Sequence, residues 1–309
     1  MLLNFAQLIV EGLTLPRLQT FMRVVDSGSI VAAASGQRGC NQGQISKQIT
    51  ELERILKIKL FVRHQRPWEL TQQGSDLAAL VKAFLAGLNE ITGQDQVLQV
   101  AGGESAFEEF LWPFFGSLQK SFERTRFEFH GTPSREAIAR IGDGRADLAL
   151  VRVEELNDEK HYSRVLGELP MLLVVRQDCL EEGEVPGFKI LKRYAIPFLK
   201  HGGEMLKCLE DMAKQHKFQL KIAVEADSFH HAFELLRGGG VNAGILPRHL
   251  AEALPKQKFA VTAFKDNRLT RRIAIACDKS AANIREMLSH AVDTWADLVK
   301  SVKVGPRLP

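Results

Sequence analysis

Residues 40–56 read CNQGQISKQITELERIL, and the fold of the whole chain turns on what this stretch does. Asn41 is a favoured helix N-cap, and Gln44 stands where a capping-box partner belongs, so a helix starts here. Ile45, Ile49, Leu52 and Leu56 recur at helical spacing along one face, while Gly43, Lys47, Thr50 and Arg54 fall opposite. A polar, basic outer face fits two readings, a solvated surface helix or a helix laid against DNA. Its neighbours decide between them.

The net charge of the 309 residues is only +4, yet residues 38–66 hold seven Lys or Arg against two Glu. Positive charge gathered in this way can hold phosphate, and it can equally be plain surface. Upstream, residues 16–26 read as a helix with Leu18, Phe21, Met22 and Val25 on one face, stopped by SGS. IVAAASGQRG supplies a second helix with small residues for close packing, broken by Gly36 and Gly39 before the third begins. LFVRHQRPWELT then gives two short extended runs around a polar tip, the pattern of a hairpin or wing carrying Arg63 and Arg66.

The next 22 residues, TQQGSDLAALVKAFLAGLNEIT, return to helix. Leu77, Val81, Phe84, Leu88 and Ile91 follow steps of four, three, four, three, a heptad seam that predicts a partner helix from a second subunit. A two-fold dimer would present two copies of the third helix to successive major grooves. Beyond Gly93, strands and helices alternate: LQVAGG, a helix to about Phe122, RFEFHG, REAIARIG and DLALVRV, then a second α/β unit through NAGILP. RRIAIAC and a last helix return to the first unit, so a mostly parallel sheet is expected in each.

A 45% apolar composition excludes a disordered chain and is enough for two or three domains. The four cysteines, Cys40, Cys179, Cys208 and Cys277, are scattered with no CxxC pair, which predicts a reducing compartment and buried, inert thiols. MLLNFAQLIVEGLTLP lacks a basic n-region and is too short an apolar run to span a bilayer; a cytoplasmic protein without membrane contact is expected, its leader forming a short extra helix.

With these elements in order, the chain resembles the LysR-type transcriptional regulators of bacteria. The specific match is AAASGQRGCNQGQISKQITELE followed by LFVR and ELTQQG; GRADLALV and LLRGGGVNAGILP match more loosely, and the resemblance covers residues 15–299. It implies an α/β protein with an all-α winged helix-turn-helix at residues 1–70 and a dimerising linker helix at 71–93. A two-lobed, periplasmic-binding-protein-like effector domain would fill 94–300, its first lobe about 94–163 and 266–300 and its second about 164–265. The implied partners are double-stranded DNA, a small-molecule effector, further copies of the chain as a dimer or tetramer, and RNA polymerase. No cofactor or catalytic residue is implied. The family's DNA-reading positions fall on Gln42, Gly43, Ser46 and Lys47, with Thr50 on the same face, and on Arg63 and Arg66. Gln pairs two-pronged with adenine, Ser and Lys reach phosphates or base edges, and an Arg suits a narrow minor groove. Gly43 and Gln44 stand where Pro or a small residue is common, and Glu69 where a basic wing residue is common.

A polar effector needs donors aimed into a cleft, which helix N-termini at the ends of parallel strands supply. Ser105 with Glu108 forms a capping box, Thr132 with Pro133 opens a helix, and Asp227 with Ser228 opens another. These positions match the family's ligand-facing loops, Arg152 matches a hinge, and Phe198 and Lys200 are expected on the opposite wall. Glu104 beside Ser105 disfavours an anion, so a neutral or cationic effector is expected, or a Glu104 neutralised by Arg152 or Lys200. His230 and His231 are adjacent on a helix with no ligand at metal spacing, so no metal is expected; residues 238–240, GGG, form a C-cap and turn rather than a phosphate loop. Two rival classes share the two-lobed body. A solute-binding protein without a DNA role is opposed by the basic N-terminal block and the lack of a secretion signal, and an enzyme by the absence of a catalytic constellation.

Overall fold

The computed structural model describes residues 5–35, 41–62, 69–91, 96–200, 203–264 and 266–303. Four helices come first: α1 (Phe5–Val10), α2 (Leu15–Ser27), α3 (Ile30–Ser35) and α4 (Gln42–Leu56). Pro16 sits in the first turn of α2, where its missing N–H costs nothing, and Gly28 ends that helix with a φ of 68°. Asn41 and Gln44 close a full capping box on α4: Gln44 N–H donates to Asn41 Oδ1 at 2.8 Å and Asn41 N–H to Gln44 Oε1 at 3.4 Å. Phe21, Val24, Ile45, Ile49 and Leu52 bury against one another as the small core beneath. The hairpin is seen at its base, where Phe61 pairs with Leu70 and Val62 N–H donates to Glu69 O at 2.8 Å. Its tip, with Arg63 and Arg66, lies outside the described residues.

The helix α5 (Gln72–Ile91) leaves this core directly. A Cβ on Gly74 would sit 2.1 Å from the Leu60 carbonyl, so only glycine lets the helix start this close to the hairpin. The first lobe follows with β1 (Gln96–Gly102), α6 (Glu104–Phe110), α7 (Phe115–Ser121), β2 (Thr125–Gly131), α8 (Ser134–Gly142) and β3 (Leu148–Arg152). The single helix expected to Phe122 is two, because Pro113 cannot continue a helical ladder.

Strand β4 (His161–Arg176) then crosses to the second lobe, made of β5 (Ile196–Leu199), α9 (Gly203–Gln215), β6 (Ile222–Ala226), α10 (Phe229–Arg237), β7 (Ala243–Pro247), α11 (Arg248–Ala253) and β8 (Phe259–Ala263). Strand β9 (Thr270–Asp278) crosses back, and α12 (Lys279–Ile284) and α13 (Glu286–Lys303) close the first lobe. The order β2-β1-β3-β9-β4-β7, with β8 also on β4, makes one sheet serve both lobes. Here the expected mostly parallel sheet is corrected. β1, β2 and β3 are parallel, but β4 and β9 run antiparallel to each other and to their other partners, because each is a return crossing between lobes. β4 pairs with β9 through Pro170 and with β7 from Met171 or β8 from Leu172 onward, which marks the hinge.

Each lobe has its own core, and α13 seals the first. Trp295 is fully buried there and donates its indole N–H to the Phe110 carbonyl at 2.7 Å, so a large apolar ring is buried without an orphaned donor.

Candidate functional site

One face of α4 belongs to the N-terminal core, and the other is free. Gln42, Gly43, Ser46, Lys47 and Thr50 are all exposed, and none makes a side-chain hydrogen bond or ion pair with another described residue. Arg54, further along, is held by Glu51 at 2.7 Å. An open hollow between α3 and the start of α4 is lined by Val31, Ala34, Ser35, Asn41, Gln42 and Gly43. Glu69 is exposed on the returning arm of the hairpin.

Glu53, which sequence reasoning missed, fixes the hairpin to the helix. Its buried carboxylate accepts the Leu60 N–H and the Lys59 ammonium, each at 2.8 Å. Burial alone would raise its pKa; the bonds from Lys59, Leu60 and Phe61 together outweigh that and lower it.

The heptad seam divides. Val81 is buried at 5% exposure and Leu77 packs beside it in the N-terminal core, while Phe84 at 45% and Leu88 at 41% are exposed, as is Leu80 at 53%, which lies outside the seam. The side chain of Ile91 lies outside the described residues. The opposite side of α5 rests on the first lobe, where Ala79, Lys82 and Ala83 meet Ile141, Gly144, Ala281 and Arg285 across a narrow crevice. Behind it, Arg285 donates to Asp147 in a buried pair, and Asp147 also accepts the Gln99 N–H at 2.8 Å.

The remaining expected residues lie on both lobes, with corrections. Ser105 does not cap α6: the helix starts at Glu104 with Gly103 as N-cap, and no side-chain cap bond forms. Glu108 instead faces His230 and His249. Thr132 is buried, with its N–H donating to Gly102 O at 2.8 Å, and α8 opens one step later, N-capped by Pro133. Ser228 caps α10 by accepting the His231 N–H, and residues 238–240 end that helix with Gly238 as C-cap. Phe198, 2% exposed, is packed in the second lobe's core rather than offered to the cleft. Lys200 pairs with Asp227 at 3.0 Å and Arg152 with Glu155 at 2.6 Å.

Glu104 instead faces His230, 3.6 Å from its Nδ1. Glu108 lies between two rings, with Oε1 3.1 Å from His230 Nδ1 and Oε2 accepting from His249 Nε2 at 2.5 Å; Glu109 is 3.5 Å from His249 Nδ1. Burial pulls the His249 pKa down, but the two glutamates prevail and raise it to about 9. Glu104, Glu108 and His230 offer three ligand atoms all within 4.8 Å of one another. Spacing along one helix could not reveal this group, whose halves stand more than a hundred residues apart.

At the hinge, Arg271 was also missed. It pairs with Leu169 across β9 and β4, touches the Met205 sulfur at 3.6 Å, and lies 5.7 Å from the centre of the Phe229 ring. Burial, with the charge of Arg152, lowers its pKa to about 10, and no carboxylate among the described residues faces it. The described cysteines, Cys179, Cys208 and Cys277, form no disulfide; burial pushes the Cys277 thiol up to about 12, which makes it inert. No described helix is long and apolar enough to cross a membrane.

Residues 15–75 match the family model for bacterial regulatory helix-turn-helix proteins of the lysR family, and residues 92–302 match that for the LysR substrate binding domain. The chain therefore belongs to the LysR family of transcription regulators, with a helix-turn-helix DNA-binding domain and an effector-binding domain. Among its relatives is a probable nitrogen assimilation transcriptional activator of Synechococcus elongatus, 25% identical over 278 residues, which span 84% of this chain and 87% of that one. Two solved structures share the fold. ArgP from Mycobacterium tuberculosis superposes with a TM-score of 0.68 at 17% identity, over 91% of this chain and 97% of that one. A variant of full-length OxyR from Pseudomonas aeruginosa gives 0.66 at 16% identity, over 93% and 95%.

Proposed function

We propose that the chain acts in the cytoplasm as a dimer, or a pair of dimers, that reads operator DNA and acts on RNA polymerase without catalysing a reaction itself. Gln42, Gly43, Ser46, Lys47 and Thr50 would enter the major groove, with Arg63 and Arg66 on the flanking minor groove. The observation that carries this reading is the outer face of α4: it is polar, basic and unbonded, on a helix whose other face is a fixed core. Polar side chains left without internal partners on a rigid element are what a groove-reading surface requires.

Two copies would be joined along α5 by the uncovered Leu80, Phe84 and Leu88. The effector would lie beside Thr132, Ser105 and Ser228, with its acidic group on Arg271, whose half-buried guanidinium faces no carboxylate among the described residues. That reading replaces the expected neutral or cationic molecule at the hinge end of the cleft; the glutamates stand at the rim.

The test is a gel shift on DNA upstream of the gene and of its divergent neighbour, with salt varied. Lys47→Ala should weaken binding to every sequence and flatten the salt dependence by about one unit of slope. Gln42→Ala should relax base preference at one position by about 1–3 kcal/mol. Unchanged affinity in both variants would remove α4 as the reading element.

A further inference from the structure

We propose that Glu104 and Glu108 of the first lobe and His230 of the second hold a divalent transition-metal cation of the Zn2+ kind, bridging the lobes at the rim of the cleft. The geometry is close to that of a coordination set. Zn2+ bonds of about 2.0–2.1 Å in a tetrahedron put neighbouring ligand atoms about 3.3 Å apart. His230 Nδ1 stands 3.1 Å from Glu108 Oε1 and 3.6 Å from Glu104 Oε1, so two edges already bracket that value. Glu104 and Glu108 are four residues apart on α6 and share one face.

A second observation concerns the ring itself. The His230 ring is partly exposed, but its Nδ1 atom is shut off from water and lies between carboxylate oxygens of Glu108 and Glu104 without a well-aligned hydrogen bond to either. A ring nitrogen screened from water between two carboxylates is placed to share a cation with them. Charge agrees: Glu104, Glu108 and Glu109 face two imidazoles, so a negative charge remains even with both rings protonated. His249 holds the other oxygen of Glu108 and so orients that carboxylate, as groups behind metal ligands commonly do. The mixed nitrogen and oxygen set suits Zn2+, Co2+ or Ni2+ rather than Mg2+ or Ca2+, which take oxygen.

Because the ligands come from both lobes, a bound cation favours the lobe spacing that unites them. That it thereby alters operator affinity rests on the regulator reading above; the coordination itself does not.

The experiment is calorimetric titration of the full chain, stripped with chelator, with ZnCl2, CoCl2 and MgCl2 near neutral pH. The expected result is one Zn2+ per chain, the absorption bands of low-coordinate Co2+, and Mg2+ bound far more weakly. Glu108→Gln and His230→Gln should each weaken Zn2+ binding by about 10-fold or more, with folding checked by circular dichroism, while His231→Ala, one residue away and exposed, should change nothing. Equal Zn2+ affinity in the natural chain and in a variant with Glu104, Glu108 and His230 all replaced by Gln overturns the proposal, as does a loss in His231→Ala equal to that in His230→Gln. A gel shift on the stripped protein separates the two readings. Operator binding by a chain blind to Zn2+ sinks the metal site alone, and tight Zn2+ binding without operator affinity upholds the site and sinks the regulator.

Discussion

Glu53 is a buried charge and Arg271 a half-buried one, and their surroundings differ. Glu53 accepts from Leu60 and Lys59, so its charge is matched where α4 turns into the hairpin. Arg271 has only a sulfur atom and an aromatic face. A half-buried guanidinium that faces no carboxylate among the described residues loses part of its hydration without a charge partner in the ligand-free protein, a cost that a binding residue retains. Arg271→Met should therefore make the ligand-free chain as stable as the natural one or more so, by about 1 kcal/mol or above, in urea unfolding. A loss of several kcal/mol would mean that the arginine is a structural part of the hinge and not a vacancy for an anion.

At the scale of elements, α5 has three neighbours to satisfy: its own core, the first lobe, and in our reading a second copy. Leu80→Asp with Phe84→Asp should raise the dimer dissociation constant by about tenfold or more, a loss of at least ~1.4 kcal/mol, while thermal unfolding of the separated chains stays unchanged. Val81→Ala should do the reverse, lowering stability by about 1–3 kcal/mol through a cavity while dimerisation survives. Sedimentation and calorimetry together read both, and a monomer produced by Val81→Ala alone would misassign the faces. This division also shows what the sequence could and could not say. The heptad spacing marked the helix and its apolar stripe, but spacing cannot tell which of several neighbours covers each residue. The capping box of α4, the Ser228 cap and the hairpin base were legible because their partners lie within a few residues. The start of α6, the antiparallel crossing strands, the burial of Phe198 and the meeting of Glu104 with His230 were not, since all depend on tertiary packing.

Across the whole molecule, a signal from the cleft to α4 has one rigid route among the described elements. The lobes are joined by β4 and β9, the first lobe bears on α5 through Gly144 and α12, and α5 starts against the hairpin of the DNA-binding domain. Any ligand that favours one lobe spacing can bias that route only to the extent that it binds the two arrangements unequally, and DNA must act back on the ligand by the same factor. Gly144 is a close approach between the first lobe and α5. It holds a φ of +72°, and a Cβ there would lie 3.0 Å from the Ala79 Cα of α5. Gly144→Ala should therefore press the helix off the lobe, so that amide hydrogen exchange rises at residues 78–83 of α5 while β1 and β3 keep their protection. Gly142→Ala, two residues earlier, has open space around its added methyl and should leave exchange at α5 as it was. If α5 exchanges alike in Gly144→Ala and the natural chain, this seam does not hold the helix, and communication between the domains must run through the partner subunit instead.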